Sequence, residues 1–206
     1  MYLGELDGRI SDRIERLGQI FGESFIADMH LTGNIWGYLW GKEGYGAMLF
    51  ASATVDETMA NVLADPANRA LLANIAGEVV RVADAENVRC EPFNGYDPDA
   101  MRFAHPRNWD AVTRSLETLA ALNRRSLKQK SGIWRDLAVR HRPTEVDAQI
   151  GIIVEAGRLH AIRVPLLERI IAIIHEIERG QRTMDPANLV ELRDLNSKTY
   201  PEFSNY

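Results

Sequence analysis

Lys42 ends an apolar, glycine-spaced run, Ile35-Trp36-Gly37-Tyr38-Leu39-Trp40-Gly41, where a charged side chain is costly unless it meets a carboxylate or performs a task. The task its chemistry offers is proton donation from an amine tuned by desolvation. The ordinary alternative is a side chain that snorkels to solvent from a helix surface. Gly33, Gly37 and Gly41 recur every four residues, with Gly44 next, so one helix face lacks side chains and another backbone or a ligand can come close. Each glycine costs a helix about 1 kcal/mol relative to alanine, so something offsets the loss, and close helix packing is the plainest account.

Other chemistries lack their residues. Gly44-Tyr45-Gly46 is the only G-x-G; it falls inside a helical segment, and Leu49 stands where the third glycine of a dinucleotide fingerprint belongs. There is no P-loop, no H-E-x-x-H and no cysteine pair, and the histidines at 30, 105, 141, 160 and 175 show no ligand spacing, so no metal site is expected. His160 and His175 fall on amphipathic helices, where a hydrogen-bonded structural role is the better reading. Residues 124–142 hold Arg124, Arg125, Lys128, Lys130, Arg135, Arg140, His141 and Arg142 and read as a solvated basic loop, with a phosphorylated ligand the weaker alternative.

The elements that must position these residues are mostly helical. The 206 residues are 46% hydrophobic and 26% charged, ordinary values for a folded soluble chain, and the net charge of −5 argues against nucleic acid as a partner. A lone Cys90 and an N-terminus without signal-peptide order point to the cytoplasm, and no apolar run reaches the ~20 residues of a membrane span. Tyr2 to Leu6 and Phe25 to His30 read as strands, with a helix between them capped by Ser11. From Gly33 onward the pattern predicts helices over about 35–63, 66–87 and 108–126, the second opened by Asp65-Pro66. Residues 90–107 read as a loop turning at Asn94-Gly95, with one helical turn after Asp97. A short helix in the basic stretch follows. Thr144 then caps a helix, with Asp147 completing a variant capping box, Pro165 opens a broadly apolar one, and Asp185-Pro186 starts a last helix to about Leu195.

These residues resemble the ketopantoate reductase (2-dehydropantoate 2-reductase) family in its helical C-terminal half, over roughly residues 3 to 180. Gly4-Glu5-Leu6-Asp7-Gly8 with Ser11 and Arg13 is similar to a stretch late in that family's nucleotide-binding domain. Asn34-Ile35 with Leu39-Trp40-Gly41-Lys42 is similar to its W-x-K segment, and Arg142-Pro143-Thr144-Glu145-Val146-Asp147-Ala148-Gln149-Ile150-Gly151 to its R-x-T-E-x-D-x-x-x-G segment. Gly157, His160, Val164 and Pro165 continue the register.

The resemblance implies a mainly α fold of the 6-phosphogluconate dehydrogenase C-terminal type, with a short β-α-β remnant of a Rossmann domain in front. It divides the chain into that remnant at 1–31, a helical substrate and dimerisation domain at 32–182, and a short helix and tail at 183–206. It implies NADPH-dependent reduction of 2-dehydropantoate or a bulkier 2-oxo acid, a step of pantothenate biosynthesis. Lys42 is then the proton donor, Glu145 orients the substrate, and Ser131 binds it, one place before the position where the family has its serine. Glu145 also suits the first turn of a helix electrostatically. The family's two asparagines, four and eight residues after the lysine, are Gly46 and Phe50 here, which suggests a bulkier or less polar substrate.

Most of the NADPH-binding portion is absent from this sequence. The expectation is therefore a reductase that completes its site with a separate Rossmann-domain polypeptide, the alternative being a non-catalytic helical module for ligand binding or dimerisation. The apolar stripe from Val164 to Ile177 and the unpaired strands lead us to expect a homodimer.

Overall fold

The computed structural model describes residues 1–24 and 26–204. Strands β1 (Tyr2–Leu3) and β2 (His30–Leu31) pair in parallel, Tyr2 beside His30 and Leu3 beside Leu31, with α1 (Asp12–Ser24) crossing between them. Both strands are shorter than the pattern predicts, because a sheet of only two strands offers little ladder to extend. The second begins at His30, after a bend at Ala27 and Asp28; Phe25 lies outside the described residues. Ser11 caps α1 by accepting the Ile14 N–H at 3.3 Å and donates to Glu5, whose carboxylate also takes Arg13, so the first block of the resemblance is one hydrogen-bonded cluster. The unit is fastened to the helices by Trp36 Nε1, which donates to the Leu6 carbonyl at 3.0 Å, and by stacking of Tyr2 on Tyr38 at 3.7 Å.

The rest of the described chain is helices and the loops that join them. Helix α2 (Ile35–Ser52) starts at Asn34, whose Oδ1 accepts the Gly37 N–H at 3.0 Å. It ends eleven residues earlier than the pattern predicts. Ser52 and Thr54 donate their hydroxyls back to the carbonyls of Leu49 and Ala51, which competes with continuation of the helix. Thr58 then caps a new helix, α3 (Met59–Ala64). Asp65 accepts the Ala67 N–H at 2.9 Å and opens a 3₁₀ turn that leads into α4 (Arg69–Ala85).

Helix α4 is the spine of the domain. Leu71, Leu72, Ile75, Val79 and Val82 are buried on it, with α2, α5, α7, α8 and α9 packed around. Asn87, at φ +59°, stops the chain from continuing as helix, and Asn94-Gly95, both at positive φ, turn the following loop back on itself between Phe93 and Tyr96. A single 3₁₀ turn follows at Asp99–Met101. Helix α5 (Trp109–Arg125), capped by Asn108, packs on α3.

Two π-helical stretches flank the basic loop's exit. Helix α6 (Gly132–Arg135) widens into one at Asp136–Arg140, and another at Asp147–Gly151 leads into α7 (Ile152–Leu159). The expected capping box is rearranged: Thr144 Oγ1 accepts from Val146 N at 3.3 Å, its own N–H goes to Glu178, and Asp147 pairs with His175. His160 likewise bonds Glu86 at 2.8 Å.

Helix α8 (Pro165–Glu178) has its N-terminus held by Glu78 of α4, whose two carboxylate oxygens accept the Leu166 and Leu167 N–H groups at 3.0 Å each; Tyr200 Oη donates to the same carboxylate. Burial pushes this carboxyl up to about 7 against those three donors. Leu166, Leu167, Ile170, Ile173 and Ile174 are covered by the chain's own helices, so the stripe expected to form a dimer surface is internal. Helix α9 (Pro186–Thr199) runs four residues past Leu195 and packs on α8 and α4. A closed ring of Arg169, Glu176, Arg182 and Glu191 ties α8 to α9.

Candidate active site

The glycine face of α2 is what brings a loop across the helix. Glu91 N donates to the Gly37 carbonyl at 2.9 Å, Asn34 Nδ2 holds the Arg89 carbonyl at 2.9 Å, and a Cβ on Gly41 would lie 2.6 Å from the Glu91 carbonyl oxygen. The close partner is thus a backbone segment, residues 89–91, and the adjacent face of α2 is left to line a cleft.

That cleft encloses about 590 Å³. One wall is α2, with Lys42, Glu43, Tyr45, Gly46 and Leu49. Opposite lie Asn123, Ser126 and Lys128 at the end of α5, then Ser131, Gly132, Ile133 and Asp136, and then Glu145 and Gln149; Met59 and Phe93 complete it. Lys42, Ser131 and Glu145, far apart in sequence, therefore line one space.

Their settings differ. Lys42 is exposed, so the burial expected from its apolar neighbours is not supplied by this chain; the side chain snorkels. Ser131 is 3% exposed and caps α6, its Oγ accepting the Trp134 N–H at 3.0 Å. Glu145 is exposed, and its Oε2 accepts Gln149 Nε2 at 2.8 Å. Gly46 lines the cleft but Phe50 does not: it is fully buried in the core, so it adds no aromatic surface to the site. Leu49 takes that place, because seven residues from Lys42 is two turns to within about 20°, whereas eight is about 80° off.

Four more lining residues are not among the expected site residues. Burial raises the Glu43 carboxyl, with Lys42 opposing, and its Oε2 is buried without a hydrogen-bond partner. Burial also raises the Tyr45 phenol, against a 2.8 Å hydrogen bond from Asn123 Nδ2 to its oxygen. Gln149 had one available signal, its i,i+4 spacing from Glu145. Asp136, beside Ser131, is held below the usual carboxylate range by Arg140 and Arg142, which reach its Oδ1 at 2.8 and 2.9 Å.

Chemically, the cleft combines two exposed ammonium groups, Lys42 and Lys128, and three carboxyl groups, Glu43, Asp136 and Glu145, with the hydroxyls of Ser126, Ser131 and Tyr45, two amides and an apolar side of Leu49, Met59, Phe93 and Ile133. Such a space, with charges of both signs and an apolar side, suits a small polar molecule with a carbon side chain.

The fold is that of a helical domain found in dinucleotide-dependent dehydrogenases. D-mandelate dehydrogenase in complex with NADH is similar, with a TM-score of 0.68 and 20% identity over 88% of this chain and 55% of that one. Its ternary structure with NADH and anilino(oxo)acetate gives a TM-score of 0.68 and 20% identity over 87% and 66%. A PanE/ApbA family ketopantoate reductase from Ralstonia eutropha JMP134 gives 0.63 and 22% over 83% and 50%. The chain thus spans about half to two thirds of these proteins. The model of the ketopantoate reductase PanE/ApbA C-terminal family matches residues 34–178, and the chain belongs to that family. Curated proteins give no match. No helix among the described residues is long and apolar enough to cross a membrane.

Proposed function

We propose that the chain is the substrate half of a nicotinamide-dependent 2-oxo-acid reductase of the ketopantoate reductase type. Lys42 donates the proton to the keto oxygen as the carbonyl is reduced. Ser131, whose oxygen already accepts from Trp134, offers its hydroxyl hydrogen to the substrate carboxylate, and Glu145 orients the substrate from the opposite wall. The observation that carries this reading is the convergence of residues 42, 131 and 145 on one cleft. The apolar side of the cleft favours a 2-oxo acid with a substantial side chain, 2-dehydropantoate or a bulkier one.

The described residues hold a single sheet of two short strands and no glycine-rich strand-to-helix turn of the kind that seats a dinucleotide in a Rossmann domain. A reduced nicotinamide, NADPH as the family resemblance implies and NADH in the D-mandelate dehydrogenase neighbours, would supply hydride when held by a nucleotide-binding domain outside these residues, on this or a second polypeptide. A homodimer is part of the proposal, since β1 and β2 each pair on one side only.

The test is titration of the chain with NADPH and NADH, followed by a turnover assay with 2-oxo acids, alone and with a family nucleotide-binding domain supplied in trans. Turnover is expected, and Lys42→Ala should lower kcat by about 10²- to 10⁴-fold. Unchanged turnover in Lys42→Ala overturns the assignment. Absence of both cofactor binding and turnover in every pairing favours a non-catalytic helical module instead.

A further inference from the structure

Two acceptor oxygens converge where Gly46 has no side chain. A Cβ built on Gly46 would lie 3.7 Å from Glu43 Oε2 and 3.9 Å from Gln149 Oε1. Glu43 Oε2 is buried, and no donor reaches it. Gln149 is oriented by its own amide: Nε2 donates to Glu145 Oε2 at 2.8 Å, which turns Oε1 toward Gly46. Burial disfavours the ionised form of Glu43, and Lys42 only partly restores it. Glu43, Gly46, Glu145 and Gln149 all line the cleft.

Two acceptors ask for two hydrogens. A hydroxyl brings one and leaves an oxygen unpaired; an ammonium brings three and adds a countercharge for a desolvated carboxylate. Glu145, tied to Gln149, places a second carboxylate beside the gap. Gly46 stands one helical turn from Lys42, about 6 Å along α2, so the nitrogen would sit about four bonds beyond the carbonyl carbon that Lys42 serves. We infer that Glu43, Gly46 and Gln149 form a specificity subsite for an ammonium group carried on the side chain of the 2-oxo-acid substrate. This rests on the reductase reading above and adds the chemical class of the substrate's far end.

The probes are three isosteric oxamates, stable analogues of 2-oxo acids: N-propyloxamate, N-(2-hydroxyethyl)oxamate and N-(2-aminoethyl)oxamate. Each is titrated calorimetrically into the full 206-residue chain, with and without NADPH or NADH. The aminoethyl compound should bind about tenfold tighter than the propyl compound, with the hydroxyethyl compound between them. Glu43→Gln should reduce that preference to about twofold or less. Gly46→Ala should do the same by placing a methyl group in the gap, at ordinary contact distances that preserve the fold. Equal binding of all three by the wild type, or a preference that survives both substitutions, overturns the inference. If Lys42→Ala then still weakens all three alike, the reductase reading stands without it. If no oxamate binds under any condition, both fall.

Discussion

Gly41→Ala and Gly46→Ala make the same change on the same helix, and the structure assigns them opposite signs. In a helix interior either substitution gains about 1 kcal/mol from propensity. At Gly46 nothing opposes the gain, because the nearest atoms to the new methyl lie at 3.7 and 3.9 Å. At Gly41 the methyl would meet the Glu91 carbonyl oxygen at 2.6 Å and the Glu91 carbon and nitrogen at 3.6 Å. That backbone cannot retreat freely, since Glu91 N is bonded to the Gly37 carbonyl at 2.9 Å and Asn34 Nδ2 reaches both the Arg89 carbonyl and Glu91 Oε1, at 2.9 and 2.8 Å. Overpacking costs about 1–3 kcal/mol and a stretched hydrogen bond about 1 kcal/mol more. After the propensity gain, Gly41→Ala should destabilise the chain by about 1–3 kcal/mol, and Gly46→Ala should stabilise it by up to about 1 kcal/mol. Urea unfolding followed by far-ultraviolet circular dichroism, with m compared across variants, reads both. Wild-type stability in Gly41→Ala, or equal losses in the two variants, would refute the account of the glycine face.

Three further outcomes follow from buried polar groups and ion pairs. Glu78 has its folded pKa raised to about 7, so its contribution is fully present below about pH 4.5 and is lost as pH rises through about 7, a fall of about 3 kcal/mol. In Glu78→Gln the decline in unfolding free energy between about pH 5 and pH 8 should shrink accordingly, and stability near pH 5 should drop through the unpaired N–H groups at the start of α8. Asn74 accepts from Arg107 at 2.5 Å and donates to Asn196 at 2.7 Å and the Phe203 carbonyl at 3.2 Å, so Asn74→Ala should cost about 2–3 kcal/mol and speed proteolysis after α9. Arg182→Ala opens the α8–α9 ring and leaves Glu176 and Glu191 sharing Arg169; about 1 kcal/mol should be lost at low salt and less at high salt, read by thermal unfolding at two ionic strengths.

Most helix boundaries were legible because they are written in local chemistry. Asn34, Asp65, Asn108, Pro165 and Asp185 are caps or first-turn prolines whose effect does not depend on what packs nearby. The misreadings have a different cause. A helical pattern from Ile35 to Leu63 looks continuous, and the helix breaks where the hydroxyls of Ser52 and Thr54 turn back on its last turn. The stripe on α8 announced burial correctly but not by what, since periodicity cannot distinguish α4 and α9 of the same chain from a second copy. Likewise the capping role expected of Asp147 went to Glu178, thirty-four residues from Thr144, a partner only the packed fold supplies.

The same division runs through the site. A motif can name Lys42 and Glu145 because each is fixed by neighbours in sequence, and the i,i+4 relation of Glu145 and Gln149 is readable on the same terms. What no spacing rule contains is that Gly46 lies against Gln149, or that the carboxyl oxygen Glu43 turns toward Gly46 meets no donor. The contact of Gly46 with Gln149 is a relation between α2 and the π-helical turn at Asp147–Gly151, and it arises only when those two elements pack against each other. Seen along the sequence, Gly46 is a residue lost from a family pattern. Seen across the cleft, the same absence exposes two oxygens to whatever the cleft binds, and a position that reads as a deletion becomes the one that selects the ligand's far end.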